Sequence, residues 1–504
     1  MKLPRMTAQE AAAYIQNGDR LALGGFGPPG TPKAIVAAIA EKATAEHLAN
    51  RDFKIHLNPG SSVGDSCDGM LTRADAVISR TPFCVNKDMR KAYNEGKIKY
   101  LDLNLSDNAT FMRQQLTGYP TWGIIEAADI EEKDDVCRIY PTAGTGIAPT
   151  ICRLAQKGLF VELNAWHGEA VKGVHDVYEI QDSWARTVIN IQHPMDHIGK
   201  PFLEVPANRI VGVVDCNLPD ESRVMLPPTD VQKTIGTRVA EFIVANIKCG
   251  VLNPDHLVFQ SGVGSGANAV MAAMGMDKSI PDFYIYTEVF QDGPFSLLQE
   301  NRVKGVSTGA LTLSPENLRK FYDDIALYGD KVVVRPSEIS NCPEVISRLG
   351  VCAMNTAIEV DIYGHVNSTK ICGTSMMNGV GGSLDYTTSS TLSIFTCGST
   401  AKDGKISSIV PFCSHIDHTE HHVDAVITEY GVADLRGKCP SDRVDLLIEI
   451  AHPDYRPLLR EYQRLSGAVG GQTPHLLTAA FAFHDTYLRK GDMRLVDWND
   501  YIIK

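Results

Sequence analysis

The chain has 504 residues, 44% hydrophobic and 21% charged, the make-up of a globular protein with room for about two to four domains. Its formal net charge of −12 repels phosphate backbones, which argues against a nucleic-acid partner. No apolar stretch reaches membrane-spanning length, and twelve scattered cysteines without a Cys-x-x-Cys pair read as reduced thiols.

Residues 1–10 hold no apolar core of signal-peptide length, so the expected location is cytoplasmic. Short apolar runs then predict strands near 20–25, 54–58, 98–103, 122–126, 159–164 and 209–215. Amphipathic helices fall between several of them, at 31–45 and 148–157. The proline-rich, polar segment 217–229 reads as a linker. A long helix over 230–249 follows, with Ile235, Val239, Phe242, Ile243 and Ile247 on its apolar face.

Strands resume at 256–261, 282–287, 331–335, 391–396, 406–410 and 423–428. Alternation over 352–373, with a turn at 363–366, predicts a β-hairpin. Thr473 followed by Pro474 predicts the start of a last helix. Strands alternating with helices predict mainly parallel sheets covered on both faces. A glycine turn follows the first strand of each half, at 24–32 and 262–266. The expected architecture is therefore two related, open α/β domains, 1–226 and 227–504, with an active-site cleft between them.

Glu288 ends the apolar run 282–287, and the run 257–260 leads into Gly262-Val263-Gly264. A carboxylate beside a row of backbone N–H groups suits two chemistries. In a dinucleotide fold, Gly262, Gly264 and Gly266 form the pyrophosphate turn, and Glu288, 22 residues beyond Gly266, binds a ribose. Alternatively, Glu288 attacks an activated carbonyl and the amides stabilise the oxyanion. A carboxylate is a weak nucleophile, so it needs a good leaving group, and a thiolate is one.

The segment 17–32 resembles the N-terminal signature of class I coenzyme A transferases. Further stretches are similar to the acetyl-CoA hydrolase/transferase branch, which includes succinyl-CoA:acetate CoA-transferases. They are 260–264, 286–293, 338–341, 376–383 and 426–437, and the likeness spans nearly the whole chain. The resemblance implies the CoA-transferase fold, a glutamyl nucleophile at Glu288 and an active-site asparagine at Asn341. It places oxyanion and CoA-binding amides at Gly381, Gly382 and the Gly262, Val263 and Gly264 loop. Ser62 and Glu429 match positions near the family's substrate pocket. Acyl-CoA and short carboxylates are the implied partners, with coenzyme A as substrate, no tightly bound cofactor, and a homodimer as the assembly. Transfer through a glutamyl-CoA thioester and hydrolysis of acetyl-CoA are both open.

A donor with a second carboxylate, such as succinyl, calls for a cation near the end of strand 209–215. The chain has Asp215 there, and Arg223 lies further on. Arg302 and Lys304 are a local cluster able to hold polyphosphate despite the acidic whole. His415, Asp417, His418, Glu420 and His422 imitate a zinc site in spacing, but the glutamate is not placed as in His-Glu-x-x-His, and the resemblance requires no metal.

Overall fold

The computed structural model describes residues 3–61, 63–222 and 226–502. They form two compact units: Met1–Val224 with Phe283–Leu349 and Gly379–Asp385, and Met225–Asp282 with Gly350–Asn378 and Tyr386–Lys504. A single cut at 226/227 puts Phe283–Leu349 in the second half of the chain, whereas its contacts group it with the first.

The strands of the first sheet are β1 (Arg20–Leu23), β2 (Ile55–Asn58), β3 (Val77–Arg80), β4 (Lys99–Tyr100) and β5 (Trp122–Lys133). They continue with β6 (Val136–Pro141), β7 (Leu159–Asn164), β8 (Leu203–Pro206) and β9 (Ile210–Cys216). The order β4-β3-β2-β1-β5 is parallel, β7 joins β5 and β9 in parallel, and β6 and β8 form an antiparallel flap on β5. Helix Ala34–Leu48 covers this sheet through Ile35, Val36, Ile39 and Ala43. No side chain next to it in sequence caps its N-terminus. The buried carboxylate of Glu162, on β7, does so instead, accepting the N–H groups of Lys33, Ala34 and Ile35 at 2.6–3.1 Å.

Further along the chain come β10 (Val258–Ser261), β11 (Phe283–Phe290), β12 (Val303–Leu311), β13 (Val332–Val334), β14 (Cys352–Thr356), β15 (Glu359–Asp361) and β16 (Val366–Asn367). In the first unit, β11, β12 and β13 are parallel neighbours. In the second unit, β10, β14, Leu392–Thr396 and Ala425–Thr428 run parallel, and Gly431–Asp434 turns back antiparallel. Helix Asp230–Lys248 starts at a capping box of Thr229 and Gln232. The mainly parallel α/β expectation therefore holds.

Four local expectations change. Strand β12 was not expected, because Gly305 and Gly309 interrupt its apolar run. The predicted hairpin over 352–373 is smaller: β14 belongs to the parallel sheet, β15 and β16 pair antiparallel, and Lys370–Ile371 pairs antiparallel with Ser375–Met376 beyond the segment. The run 406–410 divides into two two-residue strands, Ile406–Ser407 and Ile409–Val410, in different small sheets. No helix begins at Pro474; a 3-10 turn at Leu477–Ala479 precedes helix Ala482–Lys490. Among the described residues no helix is long and apolar enough to cross a membrane.

Candidate active site

Glu288 lies within β11, which continues beyond it because Val289 and Phe290 pair with Ala310 and Leu311 of β12. Its neighbours Thr287 and Val289 are buried, while Glu288 is half-buried. The adjacent strand must pass close beneath. A Cβ added to Gly309 would stand 2.9 Å from the Glu288 carbonyl oxygen and 3.1 Å from Ser340 Oγ. The glycine that obscured β12 in the sequence thus permits this close approach.

Asn341 caps the C-terminus of the short helix Ser337–Ser340 and is fully buried. Three contacts pin the helix. Ser337 N–H donates to Gly146 O at 2.9 Å, Tyr286 O–H donates to Ile339 O, and Glu338 pairs with the buried Arg113. Asn341 Nδ2 donates to Glu288 Oε1 at 2.7 Å and to Asp385 Oδ2 at 3.2 Å. Ser340 Oγ donates to Asn341 Oδ1 at 2.9 Å, which fixes which way the amide faces.

The turn 379–382 closes the site. Val380 N–H donates to both Asp102 carboxylate oxygens at 2.9 and 3.1 Å, and Leu105 N–H donates to Gly381 O at 3.2 Å. Gly381 has φ +62°, a conformation that favours glycine. Gly382 does not need a positive φ; it needs the absence of a side chain. A Cβ there would lie 2.6 Å from Glu288 Cδ and closer still to Glu288 Oε1 and Asn341 Nδ2. Backbone therefore approaches the carboxylate closely, with no side chain between them.

Sequence reasoning missed Asp385. It sits in the first turn of helix Ser383–Thr387, just after the glycine turn, and is almost fully buried. Ser106 donates to it twice, from Oγ at 2.6 Å and from N–H at 3.2 Å. Burial pushes its carboxyl up to about 8; the Ser106 hydroxyl opposes this, and the charge of Glu288 adds to it. Desolvation likewise pushes Glu288 up to about 7, with the Asn341 hydrogen bond opposing. Two carboxyl groups thus share one amide, and burial raises both. The only signal in the sequence is an acid three residues beyond the Gly-Gly pair.

The other expected site residues that the structure describes belong some to the first unit and some to the second. Ser62 and Arg223 lie outside the described residues. Gly262, Val263 and Gly264 belong to the second unit, where Gly264 precedes helix Ser265–Met276 with φ +107° and Val263 is exposed. Glu429, in the same unit, accepts Ser399 N–H at 2.9 Å and Ser399 O–H at 2.5 Å, which satisfies its carboxylate locally. Asp215 pairs with Arg5 at the surface. Arg302 is nearly buried, and the Lys304 ammonium lies over the Tyr284 ring, 5.9 Å from its centre.

The histidine segment does not form an α-helical face, because Glu420–His422 is a 3-10 turn. His418 is buried between Thr387 Oγ1 at 3.2 Å and Ser368 Oγ at 3.4 Å, and burial lowers it to about 4. A different set, Glu126, His167 and Asp220, has donor atoms within 4.8 Å of one another. There, Lys33 Nζ already lies 2.5 Å from Glu126 and 2.8 Å from Asp220, in the place of a cation.

Comparison with known proteins adds an independent line. The family profile of the acetyl-CoA hydrolase/transferase N-terminal domain matches residues 2–193, and that of the C-terminal domain matches 318–463. The chain is 41% identical to propanoyl-CoA:succinate CoA transferase of Escherichia coli (strain K12), over 97% of this chain and 98% of that one. It is 39% identical to succinyl-CoA:acetate CoA-transferase of Clostridium kluyveri, over 97% and 90%. It is 34% identical to acetyl-CoA hydrolase of Schizosaccharomyces pombe, over 96% and 95%. Among solved structures, RipA from Yersinia pestis superposes with a TM-score of 0.67 at 18% identity, covering 92% of this chain and 97% of that one. The 4-hydroxybutyrate CoA-transferase of Porphyromonas gingivalis gives 0.59 at 19%, over 92% and 97%. These two likenesses concern the fold.

Proposed function

Because the chain belongs to the acetyl-CoA hydrolase/transferase family, we propose that it transfers coenzyme A between a short acyl-CoA and a carboxylate, with Glu288 as nucleophile. The observation that carries this reading is the contact of Glu288 with both Asn341 and the Gly382 backbone.

The steps balance without a redox partner. A Glu288 carboxylate oxygen bonds to the thioester carbonyl carbon, the C–S bond breaks, and CoA leaves as thiolate. The product is a mixed anhydride that keeps the acyl group's energy. The thiolate then attacks the Glu288 carbonyl carbon, and the first acid leaves as a carboxylate. A second carboxylate reverses the sequence and takes the CoA. In this scheme the Gly382 amide stabilises the oxyanion, a contribution of a few kcal/mol in comparable sites. The Asn341 amide holds Glu288 Oε1 and leaves the other oxygen to attack. An ordinary carboxylate is a poor base and a poor nucleophile, so the raised Glu288 suits the task at neutral pH. The amides of Gly262 and Gly264 keep the oxyanion and CoA role that the resemblance gives them, Gly381 keeps its CoA-binding role, and CoA is a substrate in this reading.

Hydrolysis of acetyl-CoA is the second reading, favoured by the hydrolase named among the relatives. It needs only that water, instead of an acid, attacks the same intermediate. The relatives' names put propanoyl, succinyl and acetyl groups first among the substrates to assay. The test is to incubate the protein with acetyl-CoA and follow products with and without propionate, succinate or butyrate. Transfer predicts a new acyl-CoA in the presence of an acid and little CoA release in its absence. CoA release that no acid changes favours hydrolysis, and no turnover of any pair contradicts both.

A further inference from the structure

On the first sheet, pairing brings four residues into one row across four neighbouring strands. Arg20 of β1 is level with His56 of β2, His56 with Ser79 of β3, and Ser79 with Lys99 of β4. Residues in register on parallel strands point to the same face, with strands roughly 4.8 Å apart. All four line one cavity of about 220 Å³. Two long cations therefore stand at the ends of the row, with an imidazole and a hydroxyl between them. His56 Nδ1 and Ser79 Oγ are 2.7 Å apart, which fixes the ring.

Three further features mark the cavity. No aspartate or glutamate lines it, in a chain whose net charge is −12. Among the described residues neither Arg20 nor Lys99 has an ion-pair partner. Two residues further along the strands, roughly 6.6 Å away, the lining changes to Ala22, Asn58, Thr81 and Leu101, with Met112 beside them. The nine-tenths-buried Thr81 has a hydroxyl without a hydrogen-bond partner. The cavity thus offers cations at one end and a wall of mixed polar and apolar side chains at the other. Its volume is below the usual range for drug-sized ligands.

From this row and cavity we infer a binding site for a small oxyanion, a short carboxylate or a phosphate, seated over His56 and Ser79 between Arg20 and Lys99. A chain of a few carbons spans the distance from the cation row to the wall of Leu101 and Met112. The site uses none of Glu288, Asn341, Gly382 or Asp385, so it is separate from the chemistry proposed above and stands if that reading fails. Burial and the two cations hold His56 below its ordinary value, so an anion seated there raises it.

The experiment uses the full chain without CoA, with butyrate in one arm and inorganic phosphate in the other. Calorimetry reads binding, and the His56 ring signal in NMR, identified through His56→Gln, reads its titration midpoint. The expected result is binding of at least one anion with an upward shift of that midpoint. Arg20→Ala with Lys99→Ala should weaken this binding at least tenfold and leave kcat unchanged, and Glu288→Gln should leave it intact. Binding of butyrate alone supports a carboxylate ligand, and binding of phosphate alone supports a phosphoryl ligand. The inference is overturned if neither anion moves the His56 midpoint, or if the folded double variant binds as tightly as the wild type.

Discussion

Glu288 and Asp385 have environments that raise both carboxyl groups toward neutrality. A carboxyl raised by its surroundings stays protonated, and hence non-nucleophilic, to higher pH. The sign follows: kcat/KM falls as pH drops through about 7 and levels off above it. A pH profile of kcat/KM checks this; a limb near the ordinary glutamate value would contradict it. The same shift acts on stability in the opposite sense. Between the unfolded and folded values, the native state holds the extra proton, so rising pH destabilises it. Gly382 gives a second expectation. Gly382→Ala puts a methyl group against Glu288 and Asn341. It should lower kcat about 10²–10³-fold, comparable to loss of an oxyanion donor, with unchanged circular dichroism. Near-normal kcat would remove Gly382 from the account.

At the scale of elements, the site depends on how two short helices and one turn are held. Helix Ser337–Ser340 is too short to be stable alone. Its place is fixed by Tyr286, Gly146 and the buried pair of Glu338 with Arg113, which Thr150 extends at 3.1 Å. Removing one partner of a buried pair leaves the other charge stranded, at about 3–5 kcal/mol. Glu338→Gln should therefore lower stability by a few kcal/mol in denaturant unfolding. Because Asn341 follows the helix directly, kcat should also fall several-fold with KM little changed. Loss of stability at full kcat would show that the pair only supports the fold. Strand β12 shows the limit of sequence reading at this scale. Its glycines broke the apolar run, yet Gly309 is there because β11 and Ser340 approach closely. A residue chosen for a tertiary contact carries no local signal. Likewise the apolar run predicts a strand only to 287, whereas pairing of Val289 and Phe290 with β12 carries it past Glu288.

At the scale of the whole molecule, alternating strands and helices were enough to predict mainly parallel α/β sheets. The grouping of segments was less legible. Residues 283–349 follow the long helix Asp230–Lys248 in sequence but belong to the unit built on the N-terminal sheet. No composition shift marks that return, because the connecting chain is itself part of a folded unit. Glu288, Asn341 and Gly382, singled out through motifs, lie close together in the structure. Asp385 carried no such signal, because it is held there by Ser106, which is 279 residues away in the chain. The central claim is that Glu288 carries the acyl group and then CoA. It is tested most directly by incubating the protein with acetyl-CoA, reducing with borohydride and mapping the modified peptide by mass spectrometry. The account predicts a reduced side chain at Glu288 and no label in Glu288→Ala, which is inactive. An unlabelled wild type together with an active Glu288→Ala variant would contradict it.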